Sequence, residues 1–288
     1  MNLYGKMKRV IFCADDFGMS NAVDTGIIRL AKQGRLSAAS CLTEGPTFCA
    51  GAPDLAQTGI QLGLHLNFTE ALPSHSASPQ PDKSQQLYLP LSVLIRRAYL
   101  RQLDRGIVAK QVGRQLDRFE AAFGRAPDFV DGHQHIHQLP VIRDVLLDTL
   151  KQRYGHGGLP WLRNTRSISL VGQAARYRLK AAIIQGLGSA TLVQRARRQG
   201  FRRNARFAGV YDFQGGETAY RTLLSDWLPR MADRDLLMCH PAAYADPDDP
   251  MGEQRFAEFK VLSEPQTNHL LHEYKIHLML DAAELGET

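Results

Sequence analysis

Apolar residues recur along this chain in two alternating rhythms. Short, nearly continuous apolar runs rich in β-branched and aromatic residues occupy 9–14, 37–43, 60–67, 128–132, 161–164, 207–213, 236–240 and 275–280. Runs of this kind, bounded by turn residues, predict buried strands. Between them, segments with apolar positions three or four apart cover 21–33, 48–57, 92–123, 140–154, 171–198, 216–232, 252–262 and 267–273. These predict helices, more than one of them within 92–123. Eight strands alternating with helices imply parallel strands joined by right-handed crossovers. The fold class is therefore α/β, and at 288 residues a distorted, TIM-like (β/α) barrel is the leading architecture. No glycine-rich phosphate fingerprint opens a helix, which disfavours a nucleotide-binding open sheet. The pattern predicts a single domain over 1–288, with a rim insertion around 72–105 that begins in a stretch rich in Pro, Ser and Gln.

The strand ends carry the chemistry. The first strand runs into Asp15 and Asp16, followed by Gly18 for a sharp turn and by Ser20 or Asn21 as a helix N-cap. His65 closes the third strand, His133, His135 and His137 follow the fourth, Arg163 ends the fifth and His240 ends the seventh. In a parallel barrel all of these positions share the C-terminal mouth, where side chains from different strands converge. A single histidine at a strand end is most often structural, but scattered structural histidines would not share one polarity. Two imidazoles and one carboxylate suit a catalytic divalent cation with open positions for water and substrate. Such a cation would relieve the repulsion between Asp15 and Asp16, one binding it and the other remaining a base. Magnesium and zinc both fit this donor set. Which of His133, His135 and His137 binds stays open, because a turn at Gly132 breaks the strand alternation.

Charge adds a second feature. The net charge is +6, yet thirteen Lys or Arg and no acidic residue lie between Asp148 and Asp212. A basic helical segment around 167–206 marks either a solvated face or a site for an anionic partner. It lacks interleaved aromatics, which argues against nucleic acid. If 195–206 borders the mouth, the substrate would be phosphorylated or lipid-linked, with peripheral contact to an anionic membrane. Four cysteines without a CxxC pair read as reduced core residues. With no signal peptide before the first strand and no run of 18 apolar residues, the expected location is the cytoplasm. A homodimer is the default expectation for a soluble enzyme.

The segments Ala14-Asp15-Asp16-Phe17-Gly18-Met19-Ser20, Gly63-Leu64-His65-Leu66, Asp131-Gly132-His133-Gln134-His135-Ile136-His137 and Cys239-His240-Pro241 resemble the signature motifs of the YdjC-like carbohydrate deacetylases. That family includes chitooligosaccharide deacetylases and deacetylases associated with hopanoid biosynthesis. The resemblance runs in family order from Val10 to about Leu262 and implies a distorted (β/α) barrel, a divalent metal and removal of acetyl from an N-acetylated sugar. Residue by residue it assigns Asp16, His65 and His133 to the metal and Asp15 to the base, and Arg163 matches the family's arginine after the fifth strand. An amine leaves only once protonated, which makes His240 the candidate acid. His135, His137 and Phe17 are the candidates for touching substrate. Two other functions would use the same residue types. One is a metal-dependent hydrolase of a phosphoester or glycosidic bond, and the other is a sugar-binding barrel without turnover.

Overall fold

The first strand organises the sheet. In the computed structural model, which describes residues 6–72 and 87–286, β1 (Lys8–Phe17) lies between β2 (Ala38–Cys41) and β7 (Leu236–Cys239). β3 (Gln61–Leu66), β4 (Phe129–Gly132) and β5 (Trp161–Leu162) continue from β2, and β6 (Phe207–Ala208) lies beyond β7. Every pairing is parallel. The sheet curls until its edges approach. At the seam between β5 and β6 only isolated bridges remain, Leu162 with Arg203 and Ser167 with Phe207. This is a distorted α/β barrel.

One expectation is corrected. The eighth run does form a strand, β8 (Ile276–Leu278), but it stands outside the ring. It pairs with Lys8 to Val10, whereas β7 takes over beside Ile11 to Ala14. At ten residues β1 is long enough to serve two neighbours in succession on one edge.

Alternation along β1 divides the core. Ile11 and Cys13 point into the barrel with Ala38, Phe129, Trp161, Phe207, Leu236 and Met238. Val10, Phe12 and Ala14 point outward to the helical layer. Inside, the Phe129 and Trp161 rings stack with centroids 4.4 Å apart. Cys13, Cys41 and Cys239 are buried free thiols and Cys49 is exposed.

The helices of the described residues are α1 (Asn21–Lys32), α2 (Phe48–Ala56), α3 (Leu91–Tyr99), α4 (Arg105–Phe123), α5 (Ile142–Tyr154), α6 (Ala175–Gly186), α7 (Ser189–Arg198), α8 (Gly216–Arg230), α9 (Gly252–Ser263) and α10 (Pro265–Glu273). Ser20 caps α1 by accepting the Val23 N–H, and Asp104 caps α4 by accepting that of Ile107. The helical stretch expected over 171–198 breaks at Gly188, whose φ is +131° and whose added Cβ would meet the Gln138 carbonyl oxygen at 2.3 Å. That close approach seats α7 against the histidine-rich loop. Among the described residues no helix is long and apolar enough to cross a membrane. Residues 73–86, part of the rim insertion expected around 72–105, lie outside the described residues.

Packing inside the barrel generates a paired prediction. A Cβ added at Gly63 would come within 2.2 Å of the Phe129 ring, whereas one added at Gly113 on α4 meets nothing within 4 Å. Gly63→Ala should lower stability by about 1–3 kcal/mol through overpacking. Gly113→Ala should raise it by roughly 0.5–1 kcal/mol. Urea denaturation midpoints of the two variants check the contrast.

Candidate active site

Two adjacent aspartates reach different partners because β1 bulges. Its register with β2 shifts between Ala14 and Phe17, and Asp16 adopts φ +72°. Asp15 keeps the inward phase of Ile11 and Cys13, while the extra residue turns Asp16 to the mouth and Phe17 outward. Phe17 is wholly buried, its ring edge-on to Phe48 at 6.5 Å. The expectation that it touches substrate is therefore corrected: its ring belongs to the core.

Asp15 meets Arg163 in a fork. Nη1 donates to Oδ2 at 2.5 Å and Nη2 to Oδ1 at 2.6 Å. The same Nη2 lies 2.5 Å from Asp131 Oδ2 and 3.1 Å from Cys13 Sγ. Arg163 has no exposed surface, and its guanidinium rests 5.8 Å over the Phe207 ring. Burial would strip its proton, but Asp131 and Asp15 outweigh burial and raise its pKa. Burial likewise opposes the charge on Asp131, and Arg163 and His65 reverse that, holding it well below the usual carboxylate range.

Asp16, His65 and His133 offer donor atoms that lie within 4.8 Å of one another. Asp16 Oδ1 is 3.4 Å from His65 Nε2 and 3.0 Å from His133 Nδ1. The far nitrogen of each ring faces a carboxylate, His65 Nδ1 to Asp131 Oδ1 at 2.7 Å and His133 Nε2 to Glu70 Oε1 at 3.1 Å. Ser40 donates to the same Asp131 oxygen at 2.5 Å. An N–H given to each outer carboxylate leaves the inner nitrogens free to present lone pairs toward one point, the usual support of a metal-binding histidine. Burial alone would lower both imidazoles. Asp131 and Asp15 outweigh it at His65, raising it to about 10, and Asp16 does so at His133, raising it to about 9. The carboxylates that raise both imidazoles also give the spot the negative surroundings that suit a divalent cation. These three residues therefore fit the metal that the family resemblance implies. The cluster of Cys13, Asp15 and Asp131 also has ligand spacing, but it encloses the Arg163 guanidinium, which already supplies a cation.

The loop after β4 settles the directions that alternation left open. Gln134 and His135 take φ +54° and +61° in a tight turn over His133–Gln138. His133 faces the mouth. His135 turns inward, edge-on to Phe207 at 5.3 Å, and burial keeps its pKa far below the usual imidazole value. His137 is wholly buried, and its Nε2 donates to the Arg163 carbonyl at 2.9 Å. It ties the loop to β5 and has no surface for a substrate, which corrects that expectation. His240 follows β7 in register beside Asp15, since Ala14 pairs with Cys239. Its ring is edge-on to Phe213 at 5.0 Å, and burial lowers it to about 4.

Strand polarity pointed to none of three further site residues. Arg255 on α9 donates from Nη2 to Asp16 Oδ2 at 2.7 Å, leaving Oδ1 to the histidines. Glu258, one turn along, accepts the His240 main-chain N–H at 2.6 Å and the Tyr211 hydroxyl at 2.5 Å, and burial pushes it up to about 7. Glu70 stands in the loop after β3. Arg255 and Glu258 are three apart on one helix face, the pattern that could have revealed them. The basic segment spans both ends of the barrel: Arg206 precedes β6 at the end opposite the mouth and pairs with Asp235 just ahead of β7, whereas Arg195 on α7 pairs with Asp144 in the first turn of α5, beside the histidine-rich loop.

The fold and site define an α/β barrel whose mouth gathers one carboxylate and two carboxylate-backed imidazoles, a group that could hold a metal ion. The sequence model for "YdjC-like protein" matches residues 9–273, and the chain belongs to that family. It is 34% identical over 154 residues to a carbohydrate deacetylase of Mus musculus, covering 51% of this chain and 48% of that protein. It is 31% identical over 136 residues to a chitooligosaccharide deacetylase of Yersinia pestis (strain Pestoides F), covering 47% and 53%. The chain thus spans about half the length of these relatives. In fold it is similar to the crystal structure of a "putative cellobiose-phosphate cleavage protein" from Enterococcus faecalis V583, with a TM-score of 0.69 at 20% identity over 98% of this chain and 100% of the other.

The carboxylate behind His65 yields a measurable consequence. Asp131→Asn should weaken binding of zinc or magnesium by about 10–100-fold, and Asp16→Ala should abolish it. Calorimetric titration of chelator-treated protein with each ion reads both effects without any substrate.

Proposed function

We propose that this protein is a metal-dependent carbohydrate deacetylase that hydrolyses the acetamide of an N-acetylated amino sugar or oligosaccharide. The observation that carries the proposal is the division of labour between two neighbouring carboxylates. Arg163 grips both oxygens of Asp15, whereas Asp16 turns one oxygen to His65 and His133. The deacetylase names borne by the mouse and Yersinia relatives support the same chemistry.

Asp16, His65 and His133 would hold the ion, with magnesium and zinc both compatible with the donors. When bound, a divalent ion supplies Lewis acidity, polarising the acetyl carbonyl and making a water molecule more acidic. Asp15 takes the proton from the attacking water, a general-base contribution on the order of 10²–10⁴. The Arg163 fork fixes the orientation of Asp15. His240, neutral near pH 7 because of its burial, follows β7 in register beside Asp15; it accepts the proton that Asp15 takes from water and passes it to the departing amine as the C–N bond breaks, returning to its neutral form. Arg255 and Glu70 hold Asp16 and His133 in place.

Asp15→Asn should keep the fold and metal affinity but slow acetate release from chitooligosaccharides by about 100-fold or more. Treatment with EDTA should remove wild-type activity, and added zinc or magnesium should restore it. Near-normal rates in Asp15→Asn would overturn the base assignment. Release of phosphate or of reducing sugar, with no acetate from any N-acetylated sugar, would overturn the activity itself.

A further inference from the structure

A cavity of about 1060 Å³ lies beside the β5–β6 seam, and none of Asp15, Asp16, His65 or His133 lines it. Its walls are the chain after β5, the α6–α7 pair and the segments leading into β6 and β7. Arg166, Arg178, Arg203 and Arg234 reach it, and no acidic residue does. Among the described residues, Arg166, Arg178 and Arg203 form no ion pair and donate no side-chain hydrogen bond, and Arg234 gives only Nη1 to the Leu285 carbonyl at 3.1 Å. Arg203 Nη1 is a buried donor without a partner. Nearby arginines behave otherwise: Arg176, Arg195 and Arg206 each hold an aspartate.

A concave site that collects unneutralised guanidinium groups is short of negative charge. Burial lowers the Arg203 pKa, and the positive charges of Arg197 and Arg234 lower it further. A second hollow of about 570 Å³ adjoins it through Arg203 and adds Arg197 and Arg198. Ser189 and Thr191, in the first turn of α7, line the larger cavity, and no side chain caps that helix. Guanidinium forks match the oxygens of a phosphate group, which several of them can share. The wall has no aromatic residue, so base stacking has no platform. The volume greatly exceeds that of inorganic phosphate and falls in the range that holds a small organic ligand. Ile168, Leu170, Val171 and Val193 give it an apolar side for the body of such a molecule.

We infer that the cavity between α6, α7 and the β5–β6 seam is a second ligand site, independent of the hydrolytic centre, that binds a phosphomonoester through Arg166, Arg178, Arg203 and Arg234. A soluble phosphorylated metabolite and the headgroup of phosphatidic acid both carry that group.

Calorimetric titration of the full chain with inorganic phosphate and with glycerol 3-phosphate, in about 50 mM salt where screening is modest, tests the site. Saturable binding is expected, weakened about tenfold or more in Arg178→Ala/Arg203→Ala and unchanged in Lys32→Ala. Arg178→Lys/Arg203→Lys keeps both charges but loses the guanidinium forks, so its affinity should fall between the wild type and the alanine pair; it also tests the site if the alanine pair fails to fold. Absence of saturable binding, or equal binding in the wild type and the alanine pair, would overturn the inference. Sedimentation with phosphatidylcholine vesicles containing phosphatidic acid separates the sources. Loss of sedimentation in the alanine pair identifies a lipid headgroup. Any other vesicle result, with calorimetric binding intact, identifies a soluble phosphomonoester.

Discussion

A single buried guanidinium sets the electrostatics of the mouth. Arg163 has no exposed surface and lies between Asp15 and Asp131. A lone charge so placed would be prohibitively unstable, and removing one member of such a pair typically costs about 3–5 kcal/mol. The three groups therefore stabilise one another, and either carboxylate remains beside Arg163 when the other is neutralised. Asp131 extends the chain of dependence, because its other oxygen faces His65 Nδ1 and Ser40. Arg163 on β5 thus governs, through β4, the orientation of a ring on β3. Its carbonyl also receives the His137 ring, which anchors the turn that aims His133.

Backbone strain complements this electrostatic frame. Asp16, Gln134 and His135 all occupy positive φ, a conformation that costs roughly 1–3 kcal/mol for each such residue. Each lies where a side chain has to leave the direction that regular structure would give it. The bulge at Asp16 lets two consecutive carboxylates share a cavity, and the turn at 134–135 sends three closely spaced histidines to three destinations: the mouth, the barrel interior and the β5 carbonyl.

These irregularities also mark where the sequence stopped being legible. Strand polarity alone was enough to bring Asp15, Asp16, His65, His133 and Arg163 to one end, because every parallel strand exposes its C-terminal residue on the same side. Polarity cannot say which way a residue in a bulge points, so Phe17 and His137 were expected at the substrate and are buried instead. Arg255 and Glu258 come from a helix and Glu70 from a loop, where no strand end advertises them. The count of eight strands was correct, but periodicity carries no information about ring membership, and β8 shares an edge of β1 with β7. Charge count alone could not say which end of the barrel the basic segment borders: Arg206 lies opposite the mouth beside Asp235, while α7 packs on the histidine-rich loop.

The seam between β5 and β6 has a dynamic consequence. Elsewhere around the ring, neighbouring strands are joined by continuous ladders, but here two isolated bridges carry the closure. Local opening requires the fewest broken hydrogen bonds along this line. Amide protons such as those of Leu162 and Ile168, which donate across it, are the barrel protons most accessible to deuterium. The cylinder is thus hinged along one side, and the hinge runs beside the strand that carries Arg163.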